Sequence, residues 1–255
     1  MKAIAVIGFN TFREIIRDRI LYVLVLFALL LIGLSILLGN LSFAEQVRIS
    51  VDLGLMGMHL SAVFLSIFVG SALVHKEMEK RTIMTLLARP LPRGSFLLGK
   101  LLGMGLVVVT VLLGILFVQV LVMVMINAPL EMNLLAAIGG IVVESLLLLA
   151  IVVFFGTFTK PILAAALTLG TFVIGHWIPD LIFFKEKSES SAFKTFAEIV
   201  INTFPNLERF NWRSAVTYND LVPFSQWGTA IAYGVAWIGV FCVLSTLIFR
   251  RRDLG

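Results

Sequence analysis

The sequence predicts an all-α membrane protein: six transmembrane helices, an N-terminal interfacial helix, a polar inner loop, and a helical outer segment between helices 5 and 6. Three observations carry this. Hydrophobic residues make up 60% of the chain, charged residues 14%, and the mean hydropathy is +1.04, a balance foreign to water-soluble globules. Six apolar runs fall at roughly 20–40, 53–75, 98–126, 134–158, 161–184 and 225–249, each near the ~20 residues that cross a ~30 Å hydrocarbon core as helix. The series of short alternating strands that a β-barrel needs does not appear, whereas a helix satisfies its own backbone in lipid. The whole chain, 1–255, reads as one domain.

Charge sets the orientation. Six spans put both termini on one side. That side carries Lys2, Arg13, Arg17, Arg19, Lys76, Lys80, Arg81, Arg89, Arg93, Lys100, Lys160 and Arg250–Arg252, fourteen bases in all. The other side has six: Arg48, Lys185, Lys187, Lys194, Arg209 and Arg213. Positive charge collects in the cytoplasm, so both termini and the loop after the second span are expected there. The net charge of +5 is this asymmetry, and no nucleic-acid partner is expected.

Residues 2–19 read as an amphipathic helix. Ala5, Phe9, Phe12, Ile16 and Ile20 form one stripe, and Asn10, Arg13, Glu14, Arg17 and Asp18 face the other way. Such a helix lies in the membrane surface; the alternative is an inner extension of the first span. The second span carries Ser66-x-x-x-Gly70, a small-residue pattern that lets helices approach. Its helix is expected to continue through Glu77–Leu87. Pro90 and Pro92 then stop it, and a short helix around Gly94–Leu98 turns the chain into the third span. The result is a stiff protrusion rather than a flexible loop.

Gln119 lies in the outer half of the third span and Glu144 well inside the fourth. A link at Thr159–Pro161 makes the fourth and fifth spans a hairpin. The fifth ends in His176-Trp177-Ile178-Pro179-Asp180, with Trp177 as an interfacial anchor. Residues 185–224 form the outer segment. It opens polar, continues as an amphipathic helix through Phe193, Phe196, Ile199 and Val200, and breaks at Pro205. Its apolar content argues for packing on the outer membrane face or on a partner. Arg250–Arg252 end the sixth span.

Candidate chemistry is sparse. Gly94–Leu101 imitates a phosphate loop, but Leu101 replaces the Ser or Thr that ligates Mg²⁺ and no strand precedes it; a nucleotide site is rejected. Glu144 is the one acid well inside a span, and a carboxylate there is expensive. Two readings stand: a residue of a substrate path or subunit interface, together with Gln119, or a protonated or hydrogen-bonded structural Glu, with Gln119 as the partner considered. His59, His75 and His176 sit on two spans at what read as different depths, and no metal site is expected. The single Cys242 has no partner for a disulfide. No catalytic arrangement is seen.

The inner segment 75–100 carries more than the basic residues that orientation explains. Glu77-x-Glu79-x-x-Thr82 precedes Leu86-Leu87-x-Arg89-Pro90-x-x-Arg93 and Gly99-Lys100. Acids among bases suit docking on a protein partner. This pattern resembles the inner loop of ABC-2-type transporter permeases, with Arg81 where the family usually has Gly. The N-terminal helix, six spans, outer segment and basic end extend the resemblance over the whole chain. PNLERFN is similar to the branch containing the permease that assists nitrous oxide reductase maturation. The resemblance implies a permease subunit in the inner membrane, paired with a second, identical permease chain and with two ATPase chains that carry the ATP and Mg²⁺. It implies export, a non-catalytic role for this chain, no cofactor of its own, and coupling through 76–98: Glu77, Glu79, Thr82, Arg89, Pro90, Arg93 and Lys100. Two rivals are an ion-coupled secondary transporter using Glu144, which should show repeat symmetry, and a membrane scaffold without a path.

Overall fold

The computed structural model describes residues 2–41, 45–79, 93–130, 132–218, 220 and 222–251. No strand occurs among them, and six helices are long and apolar enough to cross a membrane. Helix α1 spans Lys2–Ile16 and α2 Arg19–Asn40. The break between them is local: the Asp18 side chain accepts from the Ile20 N–H at 3.1 Å and caps α2, as a short acidic side chain at a helix start does.

Helix α1 is no free surface helix. Gly8, Thr11 and Ile15 are buried, and a Cβ at Gly99 would crowd Ile7 and the Ile4 carbonyl. This face packs on the next helix but two. The predicted stripe is offset from it: Phe9 stays half exposed, with the Arg13 guanidinium 4.4 Å from its ring centre.

Helix α3 runs Gln46–Glu79. Its apolar run continues through Val74, and the helix goes on unbroken to Glu79, as expected of a run without proline. The rest of the expected protrusion, with Pro90 and Pro92, lies outside the described residues. Helix α4, Arg93–Met125, is a single helix. The separate short helix expected at Gly94–Leu98 does not exist, because nothing between Arg93 and Met125 interrupts helical hydrogen bonding.

Helix α5, Met132–Gly156, is the centre of the bundle. Every residue from Leu147 to Val153 is buried, as an all-round apolar helix requires. Glycine lets neighbours close on it: a Cβ at Gly70 of α3 would overlap Val152, so the Ser66–Gly70 face serves the contact with α5. Helix α6, Pro161–Lys187, begins with Pro at its first turn and passes through Pro179 without ending. Helix α7 spans Ser191–Thr203, α8 Arg213–Tyr218 and α9 Phe224–Arg251.

The outer segment departs most from expectation. Helix α7 does leave Phe196 and Ile199 exposed. After Pro205, however, the chain turns into its own bundle. Leu207 and Phe210 are almost fully buried, and a 3-10 turn at Glu208–Phe210 closes the bend. The Leu207 N–H donates to the Gly175 carbonyl at 3.1 Å, and the Asn206 N–H to the Tyr233 hydroxyl at 2.8 Å. The reason is space. Gly140, Gly175 and Gly234 face this segment, and a Cβ on any of them would strike Phe210 or Leu207.

Candidate functional site

Three helices bring one polar group each to the same place. His59 of α3, Glu144 of α5 and His176 of α6 are 13, 12 and 11 residues from the ends Gln46, Met132 and Lys187 of their helices. Those ends all lie on the side opposite the chain termini. At 1.5 Å per residue the three sit level, about 17–20 Å in. This corrects the reading of different depths for His59 and His176; His75, sixteen residues further along α3, does lie at another level.

His59 Nε2 lies 2.8 Å from Glu144 Oε2. His176 Nε2 lies 3.5 Å from Glu144 Oε1. The two imidazole centres are 5.8 Å apart. One ligand atom from each residue falls within 4.8 Å of the others. The side chains of His59 and Glu144 are 4% and 2% exposed, and that of His176 16%. Phe172 covers the site on one flank, its ring 5.9 Å from His59 and 4.5 Å from His176. On the outer flank Glu208, from the inserted segment, brings Oε2 to 3.9 Å from His176 Nε2. Exposure falls along this row, from 38% at the Glu208 side chain to 2% at Glu144.

The backbone fixes one ring. His176 Nδ1 is 3.1 Å from the Phe172 carbonyl. A carbonyl only accepts, so Nδ1 carries a proton. In the neutral ring Nε2 is then a bare lone pair, and it faces a carboxylate oxygen. Neither His176 Nε2 nor Glu144 Oε1 has a hydrogen-bond partner among the described residues. Such an arrangement can hold a cation between the two atoms.

Gln119 does not join this site. It is 1% exposed, lies against Gly54 of α3, and its amide atoms have no hydrogen-bond partner among the described residues. The partner of Glu144 is His59, not Gln119. The expected coupling residues are spread over the other end of the molecule. Glu77 and Glu79 fall in the last turn of α3, and Arg93 opens α4. Thr82, Arg89 and Pro90 lie outside the described residues. Lys100 is 8% exposed, seven residues into α4, with the Glu14 carboxylate of α1 in electrostatic reach. It is buried in the bundle.

The sequence did not single out the cleft between α3 and α8. It encloses about 590 Å³ and is lined by Glu45, Arg48, Asp52, Asn211, Arg213 and Tyr218 among others. Arg48 stacks 4.2 Å over the Tyr218 ring, and the Thr217 hydroxyl donates to Asp52 at 3.2 Å. Both signs of charge are present, so the cleft has no marked preference for cations or anions.

No curated protein matches the chain significantly. The pattern of one family, described as ABC-2 family transporter protein, matches residues 6–254. The match is to the family as a whole and assigns no branch within it, so the likeness to the nitrous oxide reductase maturation permeases is not confirmed. Six membrane-length helices and a family match over nearly the whole length agree: the chain belongs to the ABC-2 family of transporter proteins, as a multi-pass membrane subunit for transport.

Proposed function

We propose that the chain is the membrane-spanning half of an ATP-driven exporter in the cytoplasmic membrane, coupled to a separate ATPase through residues 76–98. The family match carries the reading. Two features support it. Helix α3 continues five residues beyond the apolar run at Val74 to Glu79, roughly 7 Å of helix, and α4 resumes at Arg93. The phosphate-loop imitation at Gly94–Leu101 is the first turns of an apolar helix, which suits a nucleotide site on another chain. The termini and the 76–98 segment then face the cytoplasm. ATP and Mg²⁺ reside on two ATPase copies, and a second copy of this permease completes the path.

Purification from native membranes tests this. A soluble ATPase should accompany the chain. Glu79→Lys should reduce ATP-driven transport several-fold while leaving the amount of chain in the membrane unchanged. A second reading, an ion-coupled secondary transporter using Glu144, is favoured by the burial of that acid between two histidines. Transport by the purified chain alone on a proton gradient would establish it and overturn the first.

A further inference from the structure

We infer that His59, Glu144 and His176 form a binding site for one divalent transition-metal ion of the zinc class. Four observations lead there. Two imidazole nitrogens and a carboxylate are the donors that first-row divalent ions select, whereas Mg²⁺ and Ca²⁺ take oxygen alone. Zinc bonds to such donors are about 2.0–2.2 Å long, so a tetrahedral ion holds its ligand atoms roughly 3.3–3.5 Å apart. Glu144 Oε1 and His176 Nε2 are already 3.5 Å apart. His59 Nε2 lies 2.8 Å from the other oxygen, Oε2, and its ligand atom lies within 4.8 Å of that of His176, so its hydrogen bond to Glu144 gives way as the three donors close on a shared ion.

Orientation is the third observation. Metal-bound histidines commonly donate their other ring N–H to a carbonyl or carboxylate, which aims the lone pair at the ion. His176 does this before any ion is present, through Nδ1–H to the Phe172 carbonyl at 3.1 Å. The atoms it aims at are those left without partners. In lipid an unsatisfied buried pair is costly; an ion satisfies both at once.

The fourth is access and charge. Glu208 stands at the outer, more exposed end of the row. Three protein ligands leave a fourth position open, the pattern of exchangeable rather than closed sites. Glu208 lies on the side from which an ion reaches that position. With it, two carboxylates balance the two charges of the ion.

The test uses the full-length chain in detergent, stripped with chelator and without any ATPase, so that its outcome is separate from that of the coupling reading. Zn²⁺ is supplied and bound metal counted after desalting; Co²⁺ is titrated with its visible absorption as readout. The expected result is about one ion per chain, a cobalt spectrum of a low-symmetry nitrogen–oxygen site, and a raised Tm with either ion by mass action. Glu144→Gln and His176→Gln should weaken binding by more than tenfold, Glu208→Gln by roughly tenfold, in the range of a supporting group. Glu186→Gln, an exposed acid on the same helix as His176, should bind as the parent does. A folded parent chain that retains no ion, or retention equal in Glu144→Gln and His176→Gln, overturns the inference. If those variants do not fold, the count and the Tm shift of the parent chain decide alone.

Discussion

His59 Nε2 and Glu144 Oε2 lie 2.8 Å apart and join α3 to the central helix across 85 positions of chain. Both side chains are nearly inaccessible, so neither has water to turn to when its partner is removed. A double-mutant cycle with His59→Ala and Glu144→Ala, read by unfolding in detergent, should give a coupling of about 1–2 kcal/mol, the upper range for polar contacts between membrane helices. The single variants should each lose more than the coupling, because each leaves a buried polar group unpaired. Additive losses would mean the two residues stabilise the bundle independently.

The inserted outer segment depends on α5 having no side chain at Gly140. A Cβ there would overlap the Phe210 carbonyl, and a backbone group cannot swing aside as a side-chain tip can. Gly140→Ala should cost about 1–3 kcal/mol, as overpacking does. It should also speed tryptic cleavage at Arg209 and Arg213, which the displaced segment exposes. Gly33→Ala is the control. Nothing lies within 4 Å of a Cβ at that position, so alanine should be neutral or, by helix propensity, stabilising by up to ~1 kcal/mol.

These two contacts mark the limit of what the sequence made legible. The six spans could be read because each run exceeds the length that lipid demands, and that demand is local. The inserted stretch 206–210 could not. Leu207 and Phe210 look like membrane-face anchors until Gly140, Gly175 and Gly234 are known to stand opposite them. The site was missed for a similar reason. His59, Glu144 and His176 occupy three helices, and proximity in sequence says nothing about level in a bundle. Counting inward from the apolar runs does not reveal it: His59, Glu144 and His176 lie 6, 10 and 8 residues from the run ends at 53, 134 and 184, and only the observed helix ends bring the counts level. The pairing of Glu144 with Gln119 failed because residues on neighbouring spans meet only if their faces do, and Gln119 faces Gly54 of α3.

Gln119 is a buried amide whose polar atoms make no hydrogen bond to any described residue. If its role is packing against Gly54, Gln119→Leu should be neutral or stabilising by up to about 2 kcal/mol, since the change removes an unpaired polar group at similar volume. A Tm in detergent reads this directly. Paired with a transport assay, the variant separates two roles: an unchanged rate with a raised Tm marks a packing residue, whereas a stable chain with a several-fold lower rate marks a lining residue of the path.

Helix α7 is held to the end of α6 by Lys185 Nζ donating to Glu198 Oε1 at 2.8 Å. That hydrogen bond and the charge of Lys185 lower the pKa of Glu198 from its usual 4.5. The ionised acid is therefore favoured in the docked state. Its contribution is complete above pH 4.5 and fades as pH falls through the lowered value. The pair is solvent-exposed, so salt should weaken it as acid does. A spin label at Ala192, placed on α7 in a Cys242→Ser background, should become more mobile on acidification below pH 4.5 and with added salt. In Lys185→Ala the label should be mobile throughout and lose most of both dependences. A label equally immobile at all pH values would show that Phe193, Ala197 and Val200, on the inward face of α7, hold it in place without the ion pair.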